Sequence, residues 1–295
     1  MNKSFYTHAF RHGKVIKYCG FEEGKKVSFT IPFKPTLYVT SKKETNWHAL
    51  DGTPVDPVTF GSMSEATDFM KQYKDVPNFK IFGNTNYVAQ HINEEFPGDI
   101  KWDRSLINVT SLDIECKFGE GFPDPADADQ EITAITMKNN IDDIYYTFGC
   151  GDYDVEKALM QDHEVRYIKC NNEYELLHKF VYQWSKSSPD VITGWNVEFF
   201  DIPYIVNRIA KILGEGKEKL LSPWKMIDKR DVQQPFSNQM RVKYDIKGVT
   251  TLDYYALFKK FAFTYGPQES YKLDHIANVV LGEKKLDFGE ASDLN

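Results

Sequence analysis

Two hydrophobic rhythms divide the chain. Over residues 4–40, aromatic and β-branched positions fall in short runs, "SFYTHAF", "GKVIKYCGFEEGKKVSFTIPF" and "PTLYVTS", broken by Gly-Lys and Pro, which predicts strands joined by turns. The stretch "DGTPVDPVTF" carries turn chemistry. In "SMSEATDFMKQYKDV", Ser62 stands three residues before Glu65 as in a capping box, and Ala66, Phe69, Met70 and Tyr73 recur at helical spacing, so one helix is expected. "INEEFPGDIKWDRSL" has no clear period and reads as a connector, placing a domain boundary near residue 106.

Beyond that boundary strands alternate with helices. "LINVTSLDIEC" and "EITAITMKNNIDDIYYTFG" predict strands, the second folding into a hairpin at Asn139-Asn140. "NEYELLHKFVYQWSKS" predicts a helix with Leu176, Leu177, Phe180, Val181 and Trp184 inward. "PDVITGWN" is nearly all apolar, as expected of a strand buried on both faces. A second helix, "DIPYIVNRIAKILG", turns Ile202, Ile205, Val206, Ile209 and Leu213 inward and stops at Gly214. "GVTTLDYYALFKKF" reads as a strand running into a helix, and "SYKLDHIANVVLGEKK" as another helix. The expected class is α/β, a sheet covered by helices and preceded by a β-rich α+β domain over 1–105.

Composition narrows the function classes. With 295 residues, 41% of them hydrophobic, the chain can build one large or two ordinary cores. No apolar run approaches 18 residues and the N-terminus lacks a secretory pattern, so a soluble intracellular protein with no membrane partner is expected. The four cysteines show neither CxxC nor Cys/His spacing, which argues against a disulfide framework or a zinc site. A net charge of -7 argues against a protein that coats nucleic acid by bulk electrostatics.

The chemistry concentrates in "TSLDIECKFGEGFPDP". Asp-x-Glu also occurs at Asp129/Glu131, Asp154/Glu156 and Asp162/Glu164, where polar, unpatterned surroundings suggest solvated charges. Asp113 and Glu115 differ, because Leu112, Ile114 and Cys116 alternate with them and aim both carboxylates at one strand face. Burying the pair requires a cation, a proton or a basic partner. Hard oxygen donors suit Mg²⁺ or Mn²⁺, and two such ions can activate a water against a phosphodiester. In "TGWNVEFFDIPY", Asp201 opens a helix just past a buried strand, where α/β sheets assemble ligand sites, and either an N-cap or a metal-ligand role suits it.

"SLDIEC" followed by "GFPDP", then "ITGWNVEFFDIPYIVNRI" and "SYKLDHIANVVLG", resemble in order and spacing the exonuclease region of family B DNA polymerases, of the T-even phage type. "KPTLYV", "DGTPV" and "SMSEATDFMKQY" are similar to the same family's N-terminal domain, so the likeness covers essentially the whole chain. It implies a ribonuclease H-like 3′-to-5′ proofreading exonuclease over 106–295 that works with two Mg²⁺ or Mn²⁺ ions. It also implies that Asp113, Glu115 and Asp201 are catalytic metal ligands. Asn196 and Phe200 correspond to the motif that fixes the substrate strand and the site wall. Phe122 is a candidate for stacking on the terminal base, a loop aromatic packed on the core being the other role open to it.

Two departures qualify the likeness. The family's third exonuclease motif, Tyr-x-x-x-Asp, is expected shortly after Asn295, and the polymerase signatures "SLYPS" and "DTDS" do not occur. Asp253 and Asp274 are the internal acids left over, and capping or sheet-edge roles suit them. The implied setting is the cytoplasm of a phage-infected bacterium. The implied partners are single-stranded DNA with a primer 3′ end, a C-terminal polymerase polypeptide if the gene is divided, and through it a sliding clamp.

Basic residues Arg208, Lys211, Lys217, Lys219, Lys225, Lys229 and Arg230, with Lys259 and Lys260, read as a solvated face or a modest strand path. Three functions compete: the exonuclease part of a polymerase, a non-catalytic nucleic-acid-binding or assembly module, and a stand-alone ribonuclease H-like nuclease.

Overall fold

A computed structural model describes residues 4–117, 119, 121–154, 163–234 and 238–284. The chain divides into two compact units, Met1–Leu106 and Ile107–Asn295. In the first, β1 (Phe5–His12), β2 (Val15–Glu22) and β3 (Lys25–Ile31) form an antiparallel meander. A second small sheet is ordered β5 (Val55–Thr59), β4 (Thr36–Thr40), β6 (Ile81–Phe82). Helix α1 (Met63–Tyr73) starts where Ser62 accepts the Glu65 N–H, while the Glu65 carboxylate accepts from Gly61, one residue before the position a standard capping box uses.

Two readings of this unit need correction. "DGTPVDPVTF" contains β5, and Pro57 is tolerated because β5 is an edge strand whose outer side needs no N–H donor. The stretch assigned as a connector includes the last turn of α2 (Tyr87–Glu95), capped by Asn86, whose inward face is Tyr87 and His91.

The second unit is built on a six-stranded mixed sheet in the order β10 (Val165–Lys169), β9 (Tyr145–Gly149), β8 (Ile132–Asn139), β7 (Val109–Cys116), β11 (Val191–Gly194), β14 (Thr250–Asp253). Strands β7, β8 and β9 pair antiparallel, and β11 runs parallel to both β7 and β14. The expected hairpin turns on Asn139, whose side chain accepts the N–H groups of Ile141 and Asp142. Helices α3 (Glu173–Ser187) and α4 (Asp201–Leu213) seal the core with the predicted residues, Leu213 alone of them lying at its margin. The hairpin β12 (Ile227–Gln233) and β13 (Met240–Ile246) adds Tyr244 and Ile246 to that core. Helices α5 (Tyr254–Lys260) and α6 (Leu273–Leu281) follow β14. The fold is thus mixed α/β, with a mixed sheet and few helices.

Candidate active site

The C-terminal ends of three parallel strands, β7, β11 and β14, define the site. Thr193 of β11 registers with Ser111 on one side, and Gly194 with Asp253 on the other. Gly194 is required sterically: a Cβ there would stand 2.7 Å from the Leu112 carbonyl oxygen.

Asp113 and Glu115 do share one face of β7, as alternation predicts, but that face is exposed while Leu112 and Ile114 point into the core. The desolvation cost expected of a buried pair therefore does not apply to them. The buried carboxylate is Asp201, only 4% exposed. It is not an N-cap: Phe200 holds that position without a side-chain cap, and Asp201 is the first helical residue. Its Oδ1 instead accepts the Ile114 N–H at 3.2 Å, tying the start of α4 to the strand that carries Asp113 and Glu115. Burial first, and the neighbouring negative charge of Asp113 second, push its carboxyl up to about 8.

Between β11 and α4 lies the turn that carries Asn196 and Phe200. Asn196 has φ +64°, in the left-handed region that Asn tolerates better than most residues, and its carbonyl accepts from the Phe199 and Phe200 N–H groups. Its Oδ1 is buried without a hydrogen-bond partner among the described residues. Phe200 packs against Tyr204 on one side and meets the Phe122 ring at 5.3 Å between centroids on the other. Phe122 is 84% exposed, so it touches the site wall without being part of the core.

The loop that follows Phe122 is held by α4. Asn207 donates to the Pro125 carbonyl, Tyr204 both donates to and accepts from Gln130, and Lys211 pairs with Asp129. Arg208 is buried, where the sequence suggested a solvated face. It forms a forked ion pair with Glu173 and donates to the carbonyls of Ala128 and Asp129, while Glu173 also accepts the Ile132 N–H. Burial there is compensated by hydrogen bonds on every side. The other basic residues are spent partly on aromatic faces and acids: Lys229 over Tyr244, Lys259 over Tyr255 and Tyr271, and Arg230 with Asp245.

The remaining acids follow the structural reading. Asp253 caps α5 through the Tyr255 N–H, Asp274 sits exposed in the first turn of α6, and Asp129 and Glu131 pair with Lys211 and Lys117. Glu156 and Asp162, each half of an Asp-x-Glu pair, lie outside the described residues. Sequence reasoning missed Tyr204, Asn207 and Glu173 as supports of the site. The i, i+3, i+4 spacing of Tyr204, Asn207 and Arg208 on α4 was the available signal.

Among the described residues, no three His, Cys, Asp or Glu side chains gather closely enough to hold a metal ion as they stand. The chemistry of Asp113, Glu115 and Asp201 nevertheless fits a hard divalent cation: all donors are carboxylate oxygens, and the raised Asp201 carboxyl is the state that a bound cation reverses. No helix among the described residues is long and apolar enough to cross a membrane.

The family described as DNA polymerase family B, exonuclease domain, matches residues 70–276. The DNA-directed DNA polymerase of Enterobacteria phage T4 is 32% identical over 90% of this chain, and that of Escherichia phage RB69 is 30% identical over the same share. The DNA polymerase catalytic subunit of Equine herpesvirus 1 (strain Ab4p) is 31% identical over 66% of the chain and 17% of its own length. The chain spans about a third of the phage relatives it matches, 31% of each. Because that family model matches residues 70–276, well over half of its length, the chain belongs to DNA polymerase family B, of which it carries the exonuclease domain.

Proposed function

We propose that the unit over 106–295 is a ribonuclease H-like 3′-to-5′ exonuclease that removes nucleotides from single-stranded DNA ends as the proofreading part of a phage-type replicative polymerase. The observation that carries this reading is the buried Asp201 carboxylate, docked on β7 beside Asp113 and raised to about 8. Such a group is costly to ionise alone and is suited to a cation. In this reading Asp113, Glu115 and Asp201 hold two Mg²⁺ or Mn²⁺ ions, which supply an activated water and stabilise the leaving oxygen. Asn196 offers its buried amide to the terminal nucleotide, Phe200 forms the wall, and the exposed Phe122 ring stacks on the terminal base. Polymerisation, clamp contact and the host cytoplasm as setting belong to the complete polymerase, with the palm supplied by the same or a partner polypeptide.

Digestion of 5′-labelled single-stranded DNA, with Mg²⁺ and with EDTA, tests this reading. Asp113→Ala or Glu115→Ala should cut the rate by several orders of magnitude, because electrostatic stabilisation dominates such chemistry. Since both side chains are exposed, thermal stability should hardly change. A second reading, a nucleic-acid-binding module without catalysis, is favoured by the three acids not being gathered in advance. It predicts that labelled DNA is bound but stays intact in Mg²⁺.

A further inference from the structure

Asp253 does more than cap a short helix. It ends β14 and is only 7% exposed, in register with Gly194, the last residue of β11. One carboxylate oxygen accepts the Tyr255 N–H at 2.8 Å, which is the capping bond, and also the Asn196 N–H at 3.0 Å. The other accepts the Glu198 N–H at 3.0 Å. Capping α5 uses one of these three donors; the other two belong to a different element, the turn that carries Asn196 and leads into Phe200 and Asp201.

Asn196 sits at φ +64°, a conformation that costs L residues some strain, though Asn less than most, and the turn is held at both ends. Its far end is fixed where Asp201 accepts from Ile114 on β7. Its near end is fixed by Asp253, and Glu198 is further held by an ion pair with Lys243. The span from Trp195 to Asp201 is thus pinned at one end to β14 and at the other to β7, the strand that bears Asp113 and Glu115.

We infer that Asp253 is a positioning residue for the exonuclease site, its buried carboxylate setting the Asn196–Asp201 turn through two backbone N–H groups beyond its own helix cap. This rests on the proposed exonuclease function and deepens it. The part of Asp253 is to fix where Asn196 and Asp201 stand. Displacements of about 1 Å in such groups cost on the order of 10²-fold in rate.

The deciding variant is Asp253→Ser, because serine caps a helix about as well as aspartate but is too short to reach Asn196 and Glu198 as well. In the full chain, kcat on 5′-labelled single-stranded DNA should fall about 10²-fold while KM for DNA changes less than about threefold. Asn172→Ala, which removes the cap of α3, serves as a control of similar stability loss and should keep wild-type kcat. Native-state hydrogen exchange on the unmodified protein provides an arm that needs no variant: the Asn196 and Glu198 amides should exchange as slowly as those of β11. An Asp253→Ser protein with kcat within twofold of wild type overturns the assignment, and so do Asn196 and Glu198 amides that exchange at open-loop rates. Failure of the parent reading looks different: wild-type protein would show no Asp113-dependent digestion at all, whatever the amides do.

Discussion

Replacing Asp201 with Asn separates its electrostatic role from its structural one. In the folded chain its carboxyl is raised from 3.8 to about 8, mainly by burial and next by Asp113. An acid with a folded value above its unfolded value binds more protons when folded. Its contribution to stability is therefore complete below about pH 4 and is lost as pH rises through about 8. At about 1.4 kcal/mol per unit, the loss reaches roughly 4 kcal/mol at pH 7 and levels off above pH 8. Asn keeps the size and the oxygen that accepts the Ile114 N–H, and it carries no charge to desolvate. In EDTA, Asp201→Asn should thus be more stable than wild type at pH 7 by up to about 4 kcal/mol, with a gap that narrows toward pH 5. Urea unfolding at pH 5, 6, 7, 8 and 9 measures it. Millimolar Mg²⁺ should then stabilise wild type more than the variant, because only the carboxylate rewards the cation, and the variant should lose nuclease activity. A gap that is flat between pH 5 and 8, or a variant less stable than wild type at pH 8 in EDTA, would refute the assigned burial and charge coupling.

Other outcomes follow from neighbouring features. Phe122→Ala should weaken single-stranded DNA binding by about 1–3 kcal/mol, read as a raised KM or Kd, with little change in Tm because the ring is mostly exposed. Phe122→Trp should restore binding, and an alanine variant with wild-type KM would remove the ring from the strand path. Arg208→Ala leaves Glu173 buried without its partner and should cost about 3–5 kcal/mol in chemical denaturation. A loss below about 1 kcal/mol would show that the pair is solvated as an ordinary surface bridge is.

Much of the second unit was legible because its periodicities are clean. The inward faces of α3 and α4 are runs of Leu, Ile, Val and Phe at helical spacing, and β7 alternates so strictly that Asp113 and Glu115 could be assigned to one face. Alternation alone left open whether that face met solvent or the core. The missed elements lack this contrast. The inward face of α2 is Tyr87 and His91, polar enough to read as a connector, and "IDKRDVQ" on β12 has only Ile227 and Val232 as apolar residues. Asp201 shows the deeper limit. Its position at a helix start suggested a cap, but its acceptor role is decided by a strand 87 residues earlier. Arg208 was placed on a solvated face because its partner, Glu173, lies 35 residues away on another helix. Partners of that kind follow from packing, which local pattern does not encode.

The loop held by α4 also has a consequence for synthesis. Asn207 and Pro125 are separated by 82 residues, and Tyr204 and Gln130 by 74. During translation at about 5–20 residues per second, the segment after Phe122 therefore waits roughly 4–16 s for the helix that holds it to emerge. Through that interval β7 and β8 can already pair, since they are near in sequence, while the loop between them lacks the contacts that α4 supplies. Phe122 gains its place beside Phe200 only when α4 docks, so in the nascent chain this ring and its loop stay unplaced until Asp201–Leu213 has been made.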